Sequence, residues 1–230
     1  MQVVPAILRC TQARLQAIAS RDAAKLSEFR ALFGNFTPYD SYEALIRDPA
    51  VDAVYIALPT SLHFEWAIRA MRAGKHVLCE KPLCMTSAQI EELCAVRDRT
   101  GKHIEEAFAF RNHPQWTKVR EILASDALGP VRAVHGMLAK QFFDPRDIRN
   151  NPAEGGGSMY DLGSYAVCAC NMIFRRPPSR VVAALETDPA FGIDRLSSAL
   201  LDYGDSHAAF TVATQSGGVV PSASTRISLG

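Results

Sequence analysis

Short apolar runs alternate with amphipathic stretches through the first half of the chain, the pattern of a parallel sheet wound with crossover helices. Positions Leu15–Ala19 read as a strand. Asp22 then offers an N-cap oxygen to a helix that should run to about Phe33 and stop at Gly34. Thr37–Tyr39 reads as a short strand, and Ser41 with Glu43 opens a brief helix carrying Leu45 and Ile46. After the Asp48-Pro49 turn, Ala53–Ala57 is a continuous apolar run, as expected of a strand buried on both faces. Ser61–Ala73 predicts a helix ended by Gly74, His76–Cys79 a strand, Thr86 to about Thr100 a helix and Lys102–Phe108 another strand.

From His113 the texture changes. One helix to about Ala124 and a Gly129-Pro130 turn precede a long strand pattern, Val131–Phe143, suited to a sheet with one exposed face. A polar loop containing Asp144-Pro145, Asn151-Pro152 and Gly155–Gly157 leads into a helix from about Gly163 to Phe174, and strands are expected at Arg180–Leu185, Leu196–Asp202 and Ala208–Thr214. The predicted fold class is therefore α/β, a Rossmann domain over 1–110 followed by a substrate-binding α+β domain over 111–230 with an open, mostly antiparallel sheet.

Composition narrows the function. The 230 residues are 48% hydrophobic with a formal charge of +1, and the basic residues are scattered, which argues against a nucleic-acid partner. The chain has no secretory leader pattern and no apolar run near the ~20 residues of a membrane span, so a cytoplasmic protein away from the membrane is expected. The six cysteines (Cys10, Cys79, Cys84, Cys94, Cys168 and Cys170) lack C-x-x-C spacing and read as reduced, mostly buried small hydrophobes. Cys168 and Cys170, two apart in a helix, point to different faces, and no metal site is expected.

A dinucleotide fold begins with a strand and a G-x-G-x-x-G turn, where glycines let the pyrophosphate approach a helix N-terminus. Here Val3–Leu8 already reads as the helix that follows such a turn, so the first strand and glycine loop are expected to lie outside this chain. The Gly, Ser, Pro and Thr rich stretch Gln215–Gly230 loses alternation, as if the second domain were also cut short.

Two stretches carry candidate chemistry. Glu80-Lys81-Pro82 directly follows the strand His76–Cys79, at the strand end where ligands bind in such sheets, although position alone fits a surface loop pair equally well. In Gly155-Gly156-Gly157-Ser158-Met159-Tyr160-Asp161-Leu162-Gly163-Ser164-Tyr165, three glycines permit close backbone approach. Asp161 and Tyr165 fall one helical turn apart and can face one cleft.

With these motifs the chain resembles the glucose-fructose oxidoreductase, inositol dehydrogenase and MocA (Gfo/Idh/MocA) family, in the branch with tyrosine at the catalytic position. The likeness extends over Val51–Tyr55, Pro59, Leu62-His63, Ala73–Val77 and Glu106–His113. It implies an NAD(P)-dependent dehydrogenase acting on a hydroxyl or carbonyl of a sugar or related diol, with copies pairing through the C-terminal sheet. In this reading Tyr165 is the acid/base, Lys81 its electrostatic partner and a donor to the substrate hydroxyl, and Asp161 an acceptor for substrate hydroxyls. A phenol, with its ordinary pKa of about 10, needs a nearby ammonium to favour phenolate. Many family members have histidine at the Tyr165 position and aspartate or asparagine three residues later, where Cys168 stands here, a departure that weakens any inositol specificity.

On the cofactor side, an acidic residue after the strand Leu15–Ala19 would accept the ribose 2′-hydroxyl of NAD, whereas Arg suits a 2′-phosphate; Ser20 and Arg21 favour NADP, with NAD as the alternative. The resemblance sets Leu58, Pro59, Thr60 and His63 against the nicotinamide ribose, Glu80 beside the lysine turn, and Arg111 where the family closes over the nicotinamide. Trp66 and Trp116 read as packing residues, and Arg149 as a solvated loop arginine. Two competing functions remain: a non-catalytic nucleotide- or sugar-binding fragment, and an NAD-dependent glycosidase of the same fold.

Overall fold

The computed structural model describes residues 3–125 and 127–215. Most of the stretch expected to fray, 216–230, lies outside the described residues. Residue contacts divide the chain into two compact units, one of Met1–Ile56, Glu65–Cys79 and Ile90–Glu105, the other of Ala57–Phe64, Glu80–Gln89 and Glu106–Gly230. In this division the segments after the third and fourth strands cluster with the C-terminal half.

In the first unit, helix α1 (Val3–Arg9) precedes strand β1 (Ala17–Ala19), and helix α2 (Ala23–Phe33) follows. Asp22 caps α2 by accepting the N–H groups of Ala24 and Lys25 at 2.9 and 3.3 Å, and Gly34 ends it at φ +78°. Strand β2 (Thr37–Tyr39) pairs in parallel with β1, and helix α3 (Tyr42–Arg47) starts at the Ser41 hydroxyl. Strand β3 (Ala53–Ile56), helix α4 (Thr60–Arg72), strand β4 (His76–Cys79), helix α5 (Ser87–Thr100) and strand β5 (Ile104–Glu106) complete the alternation. Strands β3 and β4 are parallel, in the order β3-β4-β5, while β1 and β2 form a separate ladder. Strand β1 is shorter than the apolar pattern suggested because a strand extends only as far as its partner, and β2 has three residues.

Val54, Ile56, Val77, Cys79, Ala67, Met71, Leu93 and Val96 are buried in this unit. Lys75 is buried with them. Its ammonium donates to the carbonyl oxygens of Asp48 and Val51, each at 2.7 Å, so a cation that would be costly unpaired holds the turn entering β3.

In the second unit, helix α6 (Pro114–Ala124) begins with His113 Nδ1 accepting the Gln115 N–H at 3.1 Å and proline in the first turn. Strands β6 (Ala133–Ala139), β7 (Arg180–Thr187), β8 (Asp194–Asp202) and β9 (His207–Ala213) form one sheet in the order β6-β9-β8-β7. The pairs β7/β8 and β8/β9 are antiparallel and β6/β9 parallel, so the sheet is mixed with mainly antiparallel pairing. Strand β6 stops short of the predicted Phe143 because its partner β9 ends at Ala213, opposite Ala139.

Helix α7 (Ser164–Phe174) covers one face of this sheet. Val134, Leu162, Ala166, Cys170, Ala199, Leu201, Ala208, Phe210 and Val212 form the core there, on alternate residues of β8 and β9. The opposite face leaves Met137, Val182, Leu196 and Leu200 exposed, whereas Val181 and Leu185 of the outer strand β7 are exposed on the α7 side. Trp116 is buried as expected, its ring 5.4 Å from that of Phe110.

Candidate active site

The residues singled out around the glycine run assemble within the second unit. Just before α7, Met159–Gly163 forms a π-helical turn rather than the plain α-helical start expected near Gly163. Asp194, at the head of β8, anchors this start: its Oδ2 accepts the Ser158 hydroxyl at 2.6 Å, the Ser197 hydroxyl at 2.7 Å and the Met159 N–H at 2.8 Å. A carboxylate there also suits the positive end of the helix. The glycines make room for the protein's own groups. A Cβ on Gly157 would lie 2.0 Å from Asp194 Oδ1, one on Gly156 2.5 Å from the Arg149 carbonyl oxygen, and one on Gly155 2.9 Å from Thr60 Cβ.

Lys81 reaches this helix start from the turn after β4. Its Nζ donates to the Asp161 carbonyl at 2.6 Å and to Asp161 Oδ1 at 2.7 Å, and both side chains are nearly buried. A π turn shifts the helical hydrogen bonds from the i−4 to the i−5 carbonyl, which leaves a carbonyl available for an outside donor. The same ammonium lies 4.8 Å from the centroid of the Tyr165 ring, over its face. Tyr165 packs edge-on to Phe108 at 5.3 Å and tilted to Phe110 at 5.6 Å.

Two assignments change. The Tyr165 phenol is raised above its ordinary pKa, first by burial and then by the charges of Asp161 and Glu80, against which Arg149 acts. The lowering expected from Lys81 is outweighed, and the Lys81 ammonium is itself paired with Asp161 at 2.7 Å. Asp161, expected as an acceptor for substrate, has both carboxylate oxygens on cations: Oδ1 on Lys81 and Oδ2 on Arg149 Nε at 3.2 Å.

Arg149, set aside as a solvated loop residue, is thus part of the cluster. Its Nη1 also meets Asp147 at 3.2 Å, and its guanidinium lies 4.6 Å from the centroid of the Phe142 ring. The single signal in the sequence was its place six residues before the glycine run.

His63 is fully buried, with Nε2 at 2.8 Å from the Leu58 carbonyl oxygen and Nδ1 at 2.8 Å from that of Pro82. Both ring nitrogens are engaged inside the protein, so His63 ties the loop after β3 to the lysine turn instead of offering a nitrogen to a ribose. The Pro59 carbonyl receives the Leu62 N–H, and Thr60 packs on Gly155. Glu80 braces the turn, its Oε2 accepting the Lys81 N–H at 3.3 Å. Glu106 Oε1 accepts the Leu83 N–H at 2.7 Å on the other side of the same turn. Arg111 is exposed, and its charge acts on Glu106 and Cys168.

In the first unit, Ser20 donates its N–H to the Tyr39 carbonyl, and its hydroxyl accepts the Asp22 N–H. Arg21 is exposed, its guanidinium 5.7 Å from the Tyr42 ring centroid.

Two family models account for nearly the whole chain: an oxidoreductase family with an NAD-binding Rossmann fold over residues 2–108, and the GFO/IDH/MocA C-terminal domain over 116–226. The chain belongs to the Gfo/Idh/MocA family. Among its relatives, a D-xylose 1-dehydrogenase (NADP(+)) from Haloferax volcanii is 40% identical over 87% of this chain and 61% of its own length. A trans-1,2-dihydrobenzene-1,2-diol dehydrogenase from Xenopus laevis is 31% identical over 86% and 60%. Among solved structures, KijD10, a 3-ketoreductase from Actinomadura kijaniata in complex with NADP and TDP-benzene, superposes with a TM-score of 0.86 at 33% identity, over 93% of this chain and 66% of that one. The chain thus spans less than two thirds of these relatives' length. Structures of the same reductase exist with a lysine changed to alanine and with a tyrosine changed to phenylalanine, and those positions are as far apart in its sequence as Lys81 and Tyr165 are here.

The family's dinucleotide is testable against residues of this chain. At the end of β1, Asp22 Oδ1 is committed to capping α2, whereas Arg21 presents an exposed guanidinium. That donor set fits a 2′-phosphate better than a ribose hydroxyl. Among the described residues no group of His, Cys, Asp and Glu could hold a metal ion, and no helix is long and apolar enough to cross a membrane. Burial raises the Cys168 thiol and pushes Cys170 up to about 11, so neither is primed as a thiolate nucleophile.

Glu106 yields a pH prediction. Burial raises its carboxyl above the ordinary value, with the Leu83 N–H, Arg111, His63 and Lys81 opposing the shift. The folded chain therefore holds this proton more tightly than the unfolded chain, and Glu106 contributes progressively less stability as pH rises from the ordinary carboxylate range through the raised value. Glu106→Gln keeps an acceptor for Leu83 without the charge. Urea unfolding from pH 4 to 8 should show the variant gaining on wild type as pH rises; a constant difference would remove Glu106 as the cause.

Proposed function

We propose that the protein is an NADP-linked oxidoreductase that interconverts a secondary hydroxyl and a carbonyl on a sugar or related diol, with Tyr165 as the proton-transferring group. The observation that carries this reading is the Lys81 ammonium, fixed on Asp161 and lying over the Tyr165 ring. A non-catalytic sensor has no need of a cation held against a phenol, and the matching lysine–tyrosine separation in the ketoreductase supports the same pair.

A bound nicotinamide would supply or accept the hydride. The residues of this chain manage the proton. In the reducing direction, negative charge develops on the substrate carbonyl oxygen, and Tyr165, which keeps its proton at neutral pH, donates it there. Two N–H bonds of Lys81 go to Asp161, which leaves the third to polarise the substrate oxygen. In the oxidising direction the phenol must first lose its proton, so oxidation is favoured at higher pH. Phe108 and Phe110 hold the ring and keep water from one side of it. Arg21 would receive the 2′-phosphate of the coenzyme.

Self-association is read from the bare sheet face: Met137, Val182, Leu196 and Leu200 give β6, β7 and β8 an exposed apolar surface, which suits a second copy of the chain.

Three measurements test these readings. Tyr165→Phe should lower turnover by about a hundredfold or more while coenzyme affinity stays nearly intact, because the change removes a proton donor and leaves the ring; unchanged turnover would eliminate the acid–base role. Arg21→Ala should weaken NADP about tenfold or more and hardly touch NAD, and equal losses would make Arg21 structural. Light scattering should report a dimer or larger species that Val182→Lys with Leu200→Lys dissociates; a monomeric wild type would refute the use of this face.

A further inference from the structure

Tyr165 is surrounded by charge from several elements. Lys81 and Glu80 approach from the turn after β4, Asp161 from the π turn of its own helix, and Arg149 from the turn Ile148–Asn150, with Asp147 behind it. Phe108 and Phe110, from the segment after β5, add only ring faces and edges, while Glu106 and Arg111 act one helical turn on, around Cys168. Two of these charges belong to the proposed reaction. Arg149 does not.

Its placement is nevertheless heavily specified. The Asp147 carboxylate accepts both the Arg149 N–H at 3.0 Å and Nη1 at 3.2 Å. The Arg149 carbonyl receives the Gly157 N–H at 3.0 Å and leaves no room for a Cβ on Gly156. Next to it, Asn150 is buried and donates to the carbonyl oxygens of Phe142 and Asp144. A loop arginine held in this way directs its Nε at one atom, Asp161 Oδ2.

We propose that Arg149 is a positioning residue that acts through Asp161: by occupying Oδ2 it makes Lys81 and Tyr165 face a carboxylate already half neutralised. The inference rests on the reading of Tyr165 as the proton-transferring group. Asp161 has two tasks that conflict. It must fix Lys81, which favours a strong anion, yet it stands beside a phenol that has to become an anion during oxidation, which a strong anion opposes. A second cation on the far oxygen reconciles them. The carboxylate keeps its geometry and Oδ1 keeps Lys81, while the field at Tyr165 weakens, in keeping with the direction in which Arg149 acts on that phenol. Asp147 sets the strength of the effect by sharing the guanidinium.

The test reads the phenol directly, without coenzyme or substrate. With tyrosines labelled at 13Cζ, the Tyr165 resonance among the six is the one missing from Tyr165→Phe, and its titration is followed by NMR in the 230-residue chain. Arg149→Met should move the midpoint upward, Arg149→Lys should leave it near wild type because the charge remains, and Asp147→Asn should move it downward because the guanidinium is then less compensated. A merely structural role predicts no such opposite signs. In turnover, Arg149→Met should lower the oxidation rate at pH 8 by about tenfold with the substrate KM kept within about twofold. If Arg149→Met fails to fold, Asp147→Asn, which keeps the arginine, decides alone. An unmoved midpoint in Arg149→Met or in Asp147→Asn, or an upward shift in Asp147→Asn, would overturn the proposal. Loss of the acid–base role itself would show instead as full turnover in Tyr165→Phe.

Discussion

The carboxylate of Asp161 is the constraint on which the candidate site depends. It lies where three segments distant in sequence meet: the turn after β4, the turn that carries Arg149, and the π turn that opens α7. Nearly buried, it would be strongly destabilising unpaired, and its two oxygens are matched by two cations. Each cation is held elsewhere as well, Lys81 by the Asp161 carbonyl and Arg149 by Asp147. Shifting any one of the three segments would strand a buried charge, and this holds the phenol of Tyr165 to one environment.

The glycine run belongs to the same constraint. In many nucleotide-binding proteins glycines admit a phosphate, but here the space where each side chain would be is taken by protein: Thr60 at Gly155, the Arg149 backbone at Gly156 and Asp194 at Gly157. The run lets Thr60, the Arg149 backbone and the Asp194 carboxylate pack against the start of a helix. Asp194, through Ser158, Ser197 and Met159, then fixes where that helix begins, and so where Asp161 and Tyr165 sit along it.

Burial decides the resting protonation of the phenol. Packed against Phe108 and Phe110 and close to Asp161 and Glu80, Tyr165 holds its proton, a condition suited to giving a proton to a carbonyl oxygen. In the proposed reaction Lys81 would act by position and polarisation, its charge being balanced by a carboxylate at 2.7 Å.

Periodicity and turn chemistry, both local properties, were legible in the sequence: the alternation of strands and helices, the helix starts at Asp22 and Ser41, and the strands β2 and β4 follow from side-chain spacing and from oxygens near helix starts. The motif also singled out Lys81, Asp161 and Tyr165, which the fold brings together. Strand lengths were not legible where they depend on a partner's length, as β6 depends on β9. Charge balance was decided only by the tertiary structure. Arg149 looks solvated until Asp161 Oδ2 is found 3.2 Å away, and His63 looks like a ligand residue until both nitrogens are seen to face carbonyl oxygens. In each case the partner is distant in sequence or is a backbone atom, and composition and spacing do not encode what a charge meets once the chain has folded.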